Sequence, residues 1–118
     1  MAADRAAAAV PEAGGRDYIP AGRTAEIEPG RARVVYHRGV EIALYNVDGV
    51  FYAVDNLCPH EGGPLVAGTV RGKVLSCPWH RWQFHLDTGC SPVNPAIRVQ
   101  TYPVRIEGDQ IQIGIPTE

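Results

Sequence analysis

The amino-acid sequence predicts a small, nearly all-β domain, on three observations. Ten prolines and thirteen glycines among 118 residues leave little room for long helices. Apolar residues alternate with others at period two, as where Ile111, Ile113 and Ile115 are separated by Gln112 and Gly114, which is the signature of a half-buried strand. Strand-length runs are also separated by short turn signals, with no helical periodicity between them.

Each element follows in chain order. Residues 1–16 read as a disordered tail, rich in Ala and Gly with scattered charges and no apolar periodicity. The folded domain is expected over residues 17–116. Arg31–His37 and Val40–Asn46 read as strands. Asn46-Val47-Asp48-Gly49 reads as a hairpin turn, because Asp-Gly tolerates the positive φ angles of a tight turn, and Phe51–Asp55 reads as the return strand. Val70–Ser76 contains a turn at Arg71-Gly72-Lys73 between two short strands. Arg81–His85 is expected as a strand ended by Asp87-Thr88-Gly89. A closing hairpin is expected from Thr101–Ile106, a turn at Glu107-Gly108-Asp109, and Gln110–Ile115.

Bulk properties exclude several function classes. A hydrophobic share of 45%, a charged share of 20% and a formal net charge of −2 describe an ordinary globular domain, with no reason to expect nucleic acid or an anionic membrane as partner. The longest apolar stretches are strand-length, too short for a transmembrane helix. Met1–Val10 lacks the long apolar core of a secretory signal, and no twin arginine is present, so the expected compartment is the cytoplasm. Three cysteines, Cys58, Cys77 and Cys90, fit a reducing compartment: if two bind metal, the third has no partner for an internal disulfide. No nucleophile–base pair or phosphate loop is evident, so no catalysis by the chain itself is expected.

Two segments carry the chemistry. Cys58-Pro59-His60-Glu61-Gly62-Gly63 and Cys77-Pro78-Trp79-His80 give C-x-H, sixteen residues, then C-x-x-H. Each supplies one thiolate and one imidazole, both suited to iron, and each contains a proline that limits backbone freedom. Gly62 and Gly63 let the backbone approach a cluster closely. A Cys₂His₂ zinc site is the main rival, but zinc fingers usually pair the cysteines in one segment and the histidines in another. Mixed types within each segment favour an iron–sulfur cluster. A degenerate, empty site is a third reading, against which all four ligand types are present.

These two loops resemble the signature of the Rieske-type [2Fe–2S] ferredoxins, and the resemblance spans roughly residues 17–116. Trp82, Phe84, Thr88 and Gly89 match the family's W-x-F-x-x-x-T-G stretch. Pro92–Ala96 resembles its proline-containing third loop, and Tyr102-Pro103-Val104 with Glu107-Gly108 resembles its closing hairpin. The resemblance implies stacked antiparallel sheets with two cluster-binding loops, and one [2Fe–2S] cluster per chain. It also implies Cys58 and Cys77 as ligands of the inner iron and His60 and His80 as ligands of the outer one. Histidine ligation makes the oxidised cluster formally neutral, where four cysteines would make it a dianion, so it raises the reduction potential.

Within the family, high-potential members add a disulfide-forming cysteine to each loop, where this chain has Gly63 and Trp79, and a serine where it has Trp82. Their absence implies a potential near the lower end of the range of about −150 to +300 mV. Arg81 stands where the family often has glycine; its charge at about 7 Å would favour reduction by roughly 0.6–2.4 kcal/mol, unless solvent screens it. Cys90 is expected as a thiol outside the ligand set, and His37 and His85 as surface or half-buried side chains. Trp82, Phe84 and Tyr102 are expected as core. Trp79, between two ligands, would shield the cluster or form part of a docking face.

Two functional readings follow from the resemblance. The first is a free electron carrier between a flavin reductase and a terminal oxygenase. The second is the small subunit of a larger enzyme, such as assimilatory NAD(P)H nitrite reductase, whose small subunit the Cys77-Pro78-Trp79-His80 and Asp87-Thr88-Gly89 segments also resemble. An oxygenase catalytic chain is rejected, because its mononuclear iron needs two more histidines and a carboxylate, and only His85 remains after His80. A structural zinc module is the non-redox alternative.

Overall fold

The computed structural model describes residues 16–59, 63–78 and 81–116. Ten strands form three antiparallel sheets: β1 (Arg16–Arg23), β2 (Ala32–His37), β3 (Val40–Val47), β4 (Val50–Asp55), β5 (Thr69–Arg71), β6 (Val74–Ser76), β7 (Gln83–His85), β8 (Thr101–Tyr102), β9 (Val104–Glu107) and β10 (Gln110–Pro116). The sheet orders are β1-β10-β9, β2-β3-β4-β8 and β5-β6-β7. Two short 3-10 turns, Thr24–Glu26 and Leu65–Ala67, are the only helical segments among the described residues. No helix of the described residues is long and apolar enough to cross a membrane.

The four-stranded sheet is the middle layer, and side-chain parity on β3 and β4 shows why. Ile42, Leu44, Phe51 and Ala53 point to one side, where they pack with Val104, Ile106, Ile111 and Ile113 of the β1-β10-β9 sheet. Ala43, Tyr45, Tyr52 and Val54 point to the other, where they meet Leu75 and Phe84 of the β5-β6-β7 sheet together with Cys58 and Cys77. The register agrees, since Ala43 pairs with Val54 and Tyr45 with Tyr52. Strands buried on both faces read as continuous apolar runs, which is the pattern of Ile42–Tyr45 and Phe51–Val54.

Two tight turns fix that register. Asp48 (φ 53°) and Gly49 (φ 91°) close β3 on β4, with Val47 opposite Val50. The buried Asn46 side chain accepts the Gly49 N–H at 2.7 Å and donates to the Ile27 carbonyl at 2.7 Å, so the expected turn signal also ties the sheet to the preceding loop. Arg38 and Gly39, at φ 51° and 81°, make the equivalent turn between β2 and β3.

The structure departs from the sequence expectations at three places. Thr101–Ile106 is two strands: Tyr102 pairs with Ala53 in the middle sheet, whereas Val104 pairs with Ile113 in another. Pro103 lies between them with no N–H to give a ladder, so the chain changes sheets there. The strand expected from Arg81 begins at Gln83, because Arg81 is left-handed at φ 59° and the Trp82 carbonyl closes a loop. Arg16, placed in the tail by the sequence, opens β1, which pairs with β10 along its length from Arg16 opposite Pro116 to Arg23 opposite Gln110. Residues 1–15 of the expected tail lie outside the described residues.

Candidate metal centre

Cys58 is presented by a short loop between β4 and the Leu65–Ala67 turn. Backbone pairing closes its base: Leu57 and Pro64 form an antiparallel bridge, the Cys58 N–H donates to the Gly63 carbonyl at 2.9 Å, and the Leu65 N–H donates to the Asn56 carbonyl at 2.6 Å. Cys77 opens the loop at the tip of the β6–β7 hairpin. Ser76 pairs with Gln83 there, and the Cys77 N–H donates to the Trp82 carbonyl at 2.7 Å. Both loops are held by main-chain bonds at their necks, which leaves their side chains to serve a site.

The two thiols meet in one core. Cys58 is 3% exposed and Cys77 1%, both packed in the cluster of Ala43, Tyr45, Leu65 and Phe84, and no disulfide joins them. Two cysteines buried together in one core with no disulfide between them fit a shared metal group. Soft sulfur donors suit an iron–sulfur cluster. His60 and His80, the expected imidazole ligands, lie outside the described residues, as do Glu61, Gly62 and Trp79. Gly63 is buried against the Cys58 side of the loop.

The residues around these loops have clear structural roles. Phe84 is fully buried and Trp82 half-buried in the thiol core, whereas Tyr102 is buried in the core on the other face of the middle sheet, as expected of core aromatics. The Tyr102 hydroxyl donates to Asp55 at 2.5 Å. The Thr88 hydroxyl accepts the Cys90 N–H at 3.2 Å, and Gly89 sits at φ 82° where a Cβ would collide with the Val99 carbonyl, so the Thr-Gly pair makes a turn that only glycine can complete. Pro92–Ala96 is held by short side chains: Ser91 Oγ accepts from the Val93 and Asn94 amides at 3.2 and 3.3 Å, and Asn94 Oδ1 accepts from the Ala96 amide at 3.1 Å. Cys90 is half-exposed and bridges to Arg98, and His37 and His85 are half-buried.

Two features escaped the sequence. Arg81 is exposed and left-handed at φ 59°, which explains why glycine suits this position. Tyr45 is buried beside the thiols, and its hydroxyl donates to the Leu65 carbonyl. Burial pushes the Tyr45 phenol above its ordinary value, and the negative charge of a nearby Cys77 thiolate adds to the shift. Its position on the cysteine-facing side of β3 is the signal that could have found it.

Comparison with known proteins agrees with this geometry. Residues 17–103 match the family model of the Rieske [2Fe–2S] domain. The chain is 40% identical over 101 residues to the ferredoxin component of a naphthalene 1,2-dioxygenase system from Pseudomonas aeruginosa, covering 83% of this chain and 95% of that protein. Among solved structures, a ferredoxin of Sphingomonas yanoikuyae B1 superposes with a TM-score of 0.75 at 33% identity, over 85% of this chain and all of that one. A Mycobacterium tuberculosis chain described as an NADH-dependent nitrite reductase small subunit superposes with a TM-score of 0.81 at 27% identity, over 87% of this chain and 98% of that one. The chain thus belongs to the Rieske [2Fe–2S] family, and its two buried thiols fit that family's single cluster.

Proposed function

We propose that this protein is a one-electron carrier that relays electrons from a flavin reductase to a terminal oxygenase, with its cluster held by Cys58, His60, Cys77 and His80. The observation that carries the ligand set is the meeting of Cys58 and Cys77, from two separate loops, in one apolar core. Each loop also holds one of the two histidines. When bound, the cluster supplies reversible one-electron chemistry at a potential raised by its imidazole ligands. The chain's own part is to hold the thiolates dry and keep the two loops in register.

The carrier role is supported by the Pseudomonas aeruginosa relative, a ferredoxin component that this chain matches over 95% of its length. The carrier has no catalysis of its own, and its partners are other redox proteins rather than nucleic acid or membrane. Contacts of this kind are small and transient. Gly63 and Trp82, at positions where high-potential members carry cysteine and serine, support a low potential. Cysteines outside any disulfide support a cytoplasmic location. A redox domain over residues 17–116 is supported by the pairing of β1 with β10, which joins its two ends in one sheet.

A second reading, the small subunit of a nitrite reductase, is favoured by the superposition on the Mycobacterium tuberculosis chain. Stopped-flow mixing of the dithionite-reduced protein with a naphthalene 1,2-dioxygenase and with a nitrite reductase large subunit separates the two. Rapid re-oxidation by the oxygenase and not by the reductase is expected. The opposite pattern would overturn the carrier reading.

A further inference from the structure

The neck of the Cys58 loop is gripped from β3 by side chains. Asn56, 3% exposed, makes four hydrogen bonds. Its N–H donates to the Glu41 carbonyl at 2.8 Å, and its carbonyl accepts the Leu65 N–H at 2.6 Å. Its side-chain Nδ2 donates to Glu41 Oε1 at 2.9 Å, and its Oδ1 accepts the Val66 N–H at 2.7 Å. The amide orientation is fixed by its neighbours, since a flipped side chain would oppose the Val66 N–H with an NH₂ and the Glu41 carboxylate with an oxygen. Tyr45, on the same side of β3 as Glu41, donates to the Leu65 carbonyl.

These bonds join the two ends of the loop through one residue. Cys58 follows Asn56 by two positions, and Leu65 and Val66 are where the chain leaves the loop. With backbone groups buried here, each must find a partner or cost free energy. Hydrogen bonds and water access around cluster sulfurs set the potential of an iron–sulfur centre. A side chain that closes the loop would therefore tune such a centre through the loop it holds.

We propose that Asn56 is a positioning residue for the cluster, acting with Glu41 as a clasp that fixes the Cys58 thiolate; the proposal rests on the reading of Cys58 as a ligand. The clasp has a defined polarity, an amide N–H donating to a carboxylate, and that polarity can be reversed. N56D keeps the acceptor for the Val66 N–H but sets one carboxylate against another. Adding E41Q lets the new amide donate to the new carboxylate and restores the bond in the opposite sense. E41Q alone keeps an acceptor for Asn56.

The experiment compares the parent, E41Q, N56D and N56D/E41Q as holoproteins by reduction potential and by the rate at which visible absorbance is lost to an iron chelator. E41Q is expected to match the parent. N56D is expected to shift the potential and to lose absorbance at least tenfold faster. The double variant is expected to recover the parent potential and a lifetime within twofold of it. If N56D takes up no cluster, recovery of cluster in the double variant supports the clasp, and its continued absence overturns it. N56D behaving as the parent, or the double variant no better than N56D, would also overturn it. A role confined to stability would move the unfolding midpoint and leave the potential in place. Hydrogen exchange at the Val66 amide separates this failure from failure of the ligand reading. If the parent proves to hold no cluster, Val66 exchange that is slow in the parent, fast in N56D and slow again in the double variant keeps the clasp and removes only its redox consequence. Equal exchange in all four removes the clasp.

Discussion

Arg81 gives the most informative single substitution, because it carries two separable effects. Its φ of 59° places an L-residue with a Cβ in the left-handed region, at a cost of about 1–2 kcal/mol. Glycine removes that cost but restores about 0.4–1 kcal/mol of chain entropy to the unfolded state. Taking the middle of both ranges, R81G is therefore expected to be more stable by about 0.8 kcal/mol, or about 2–5 °C in melting temperature for a domain of this size. The charge acts on the electron instead. Arg81 is exposed, so an effective dielectric of about 40–80 is appropriate, and a unit charge, if placed about 7 Å from a bound cluster, would favour reduction by about 25–50 mV. R81G and R81Q should both lower the potential by that amount at low ionic strength, while only R81G gains stability. Spectroelectrochemical titration and thermal unfolding of the two variants test both parts. An unchanged potential in R81Q would refute the electrostatic argument, and equal melting temperatures would refute the backbone one.

Further substitutions probe the site and its support. H80C should retain a cluster but lower the potential, because a third thiolate makes it more negative; an unchanged potential in redox titration would remove His80 from the ligand set. Cys90→Ser should leave the absorption spectrum intact, since Cys90 lies outside the buried thiol pair. G89A should cost about 2–4 kcal/mol in urea unfolding, from a positive φ combined with collision against the Val99 carbonyl. Y45F should cost about 0.5–1.5 kcal/mol through loss of one buried hydrogen bond, since the Leu65 carbonyl keeps the Gly68 N–H as a donor. The raised Tyr45 pKa also has a pH signature: its stabilisation is complete below the ordinary tyrosine value near 10 and is lost as pH rises above it. Thermal melts of the parent and Y45F should thus converge above about pH 10.

Most of the strands were legible because their patterns are local. The Asp48-Gly49 turn and the apolar runs on either side of it specify β3 and β4 without reference to the rest of the chain. The exchange of sheets at Pro103 was not legible, because Tyr102 and Val104 alternate like neighbours on one strand and only their distant partners, Ala53 and Ile113, distinguish them. β1 was also unresolved as an element, since Pro20 and Gly22 interrupt its pattern and its pairing with β10 shifts register between them. In the site, Cys58 and Cys77, which the fold brings into one core, were readable from their two short motifs. Asn56, Glu41 and Tyr45 were not, since their roles depend on which main-chain groups the fold brings beside them. The left-handed backbone of Arg81 was hidden for the same reason, as an arginine gives no turn signal.

The proposed ligand set, two thiolates and two imidazoles, would hold a [2Fe–2S] cluster that accepts one electron. Pulsed EPR of the dithionite-reduced protein tests it most directly. One unpaired electron per chain is expected, coupled to nitrogens of two histidines, with one coupling lost in H80C. A colourless, EPR-silent protein with stoichiometric zinc, or a signal without nitrogen coupling, would contradict it.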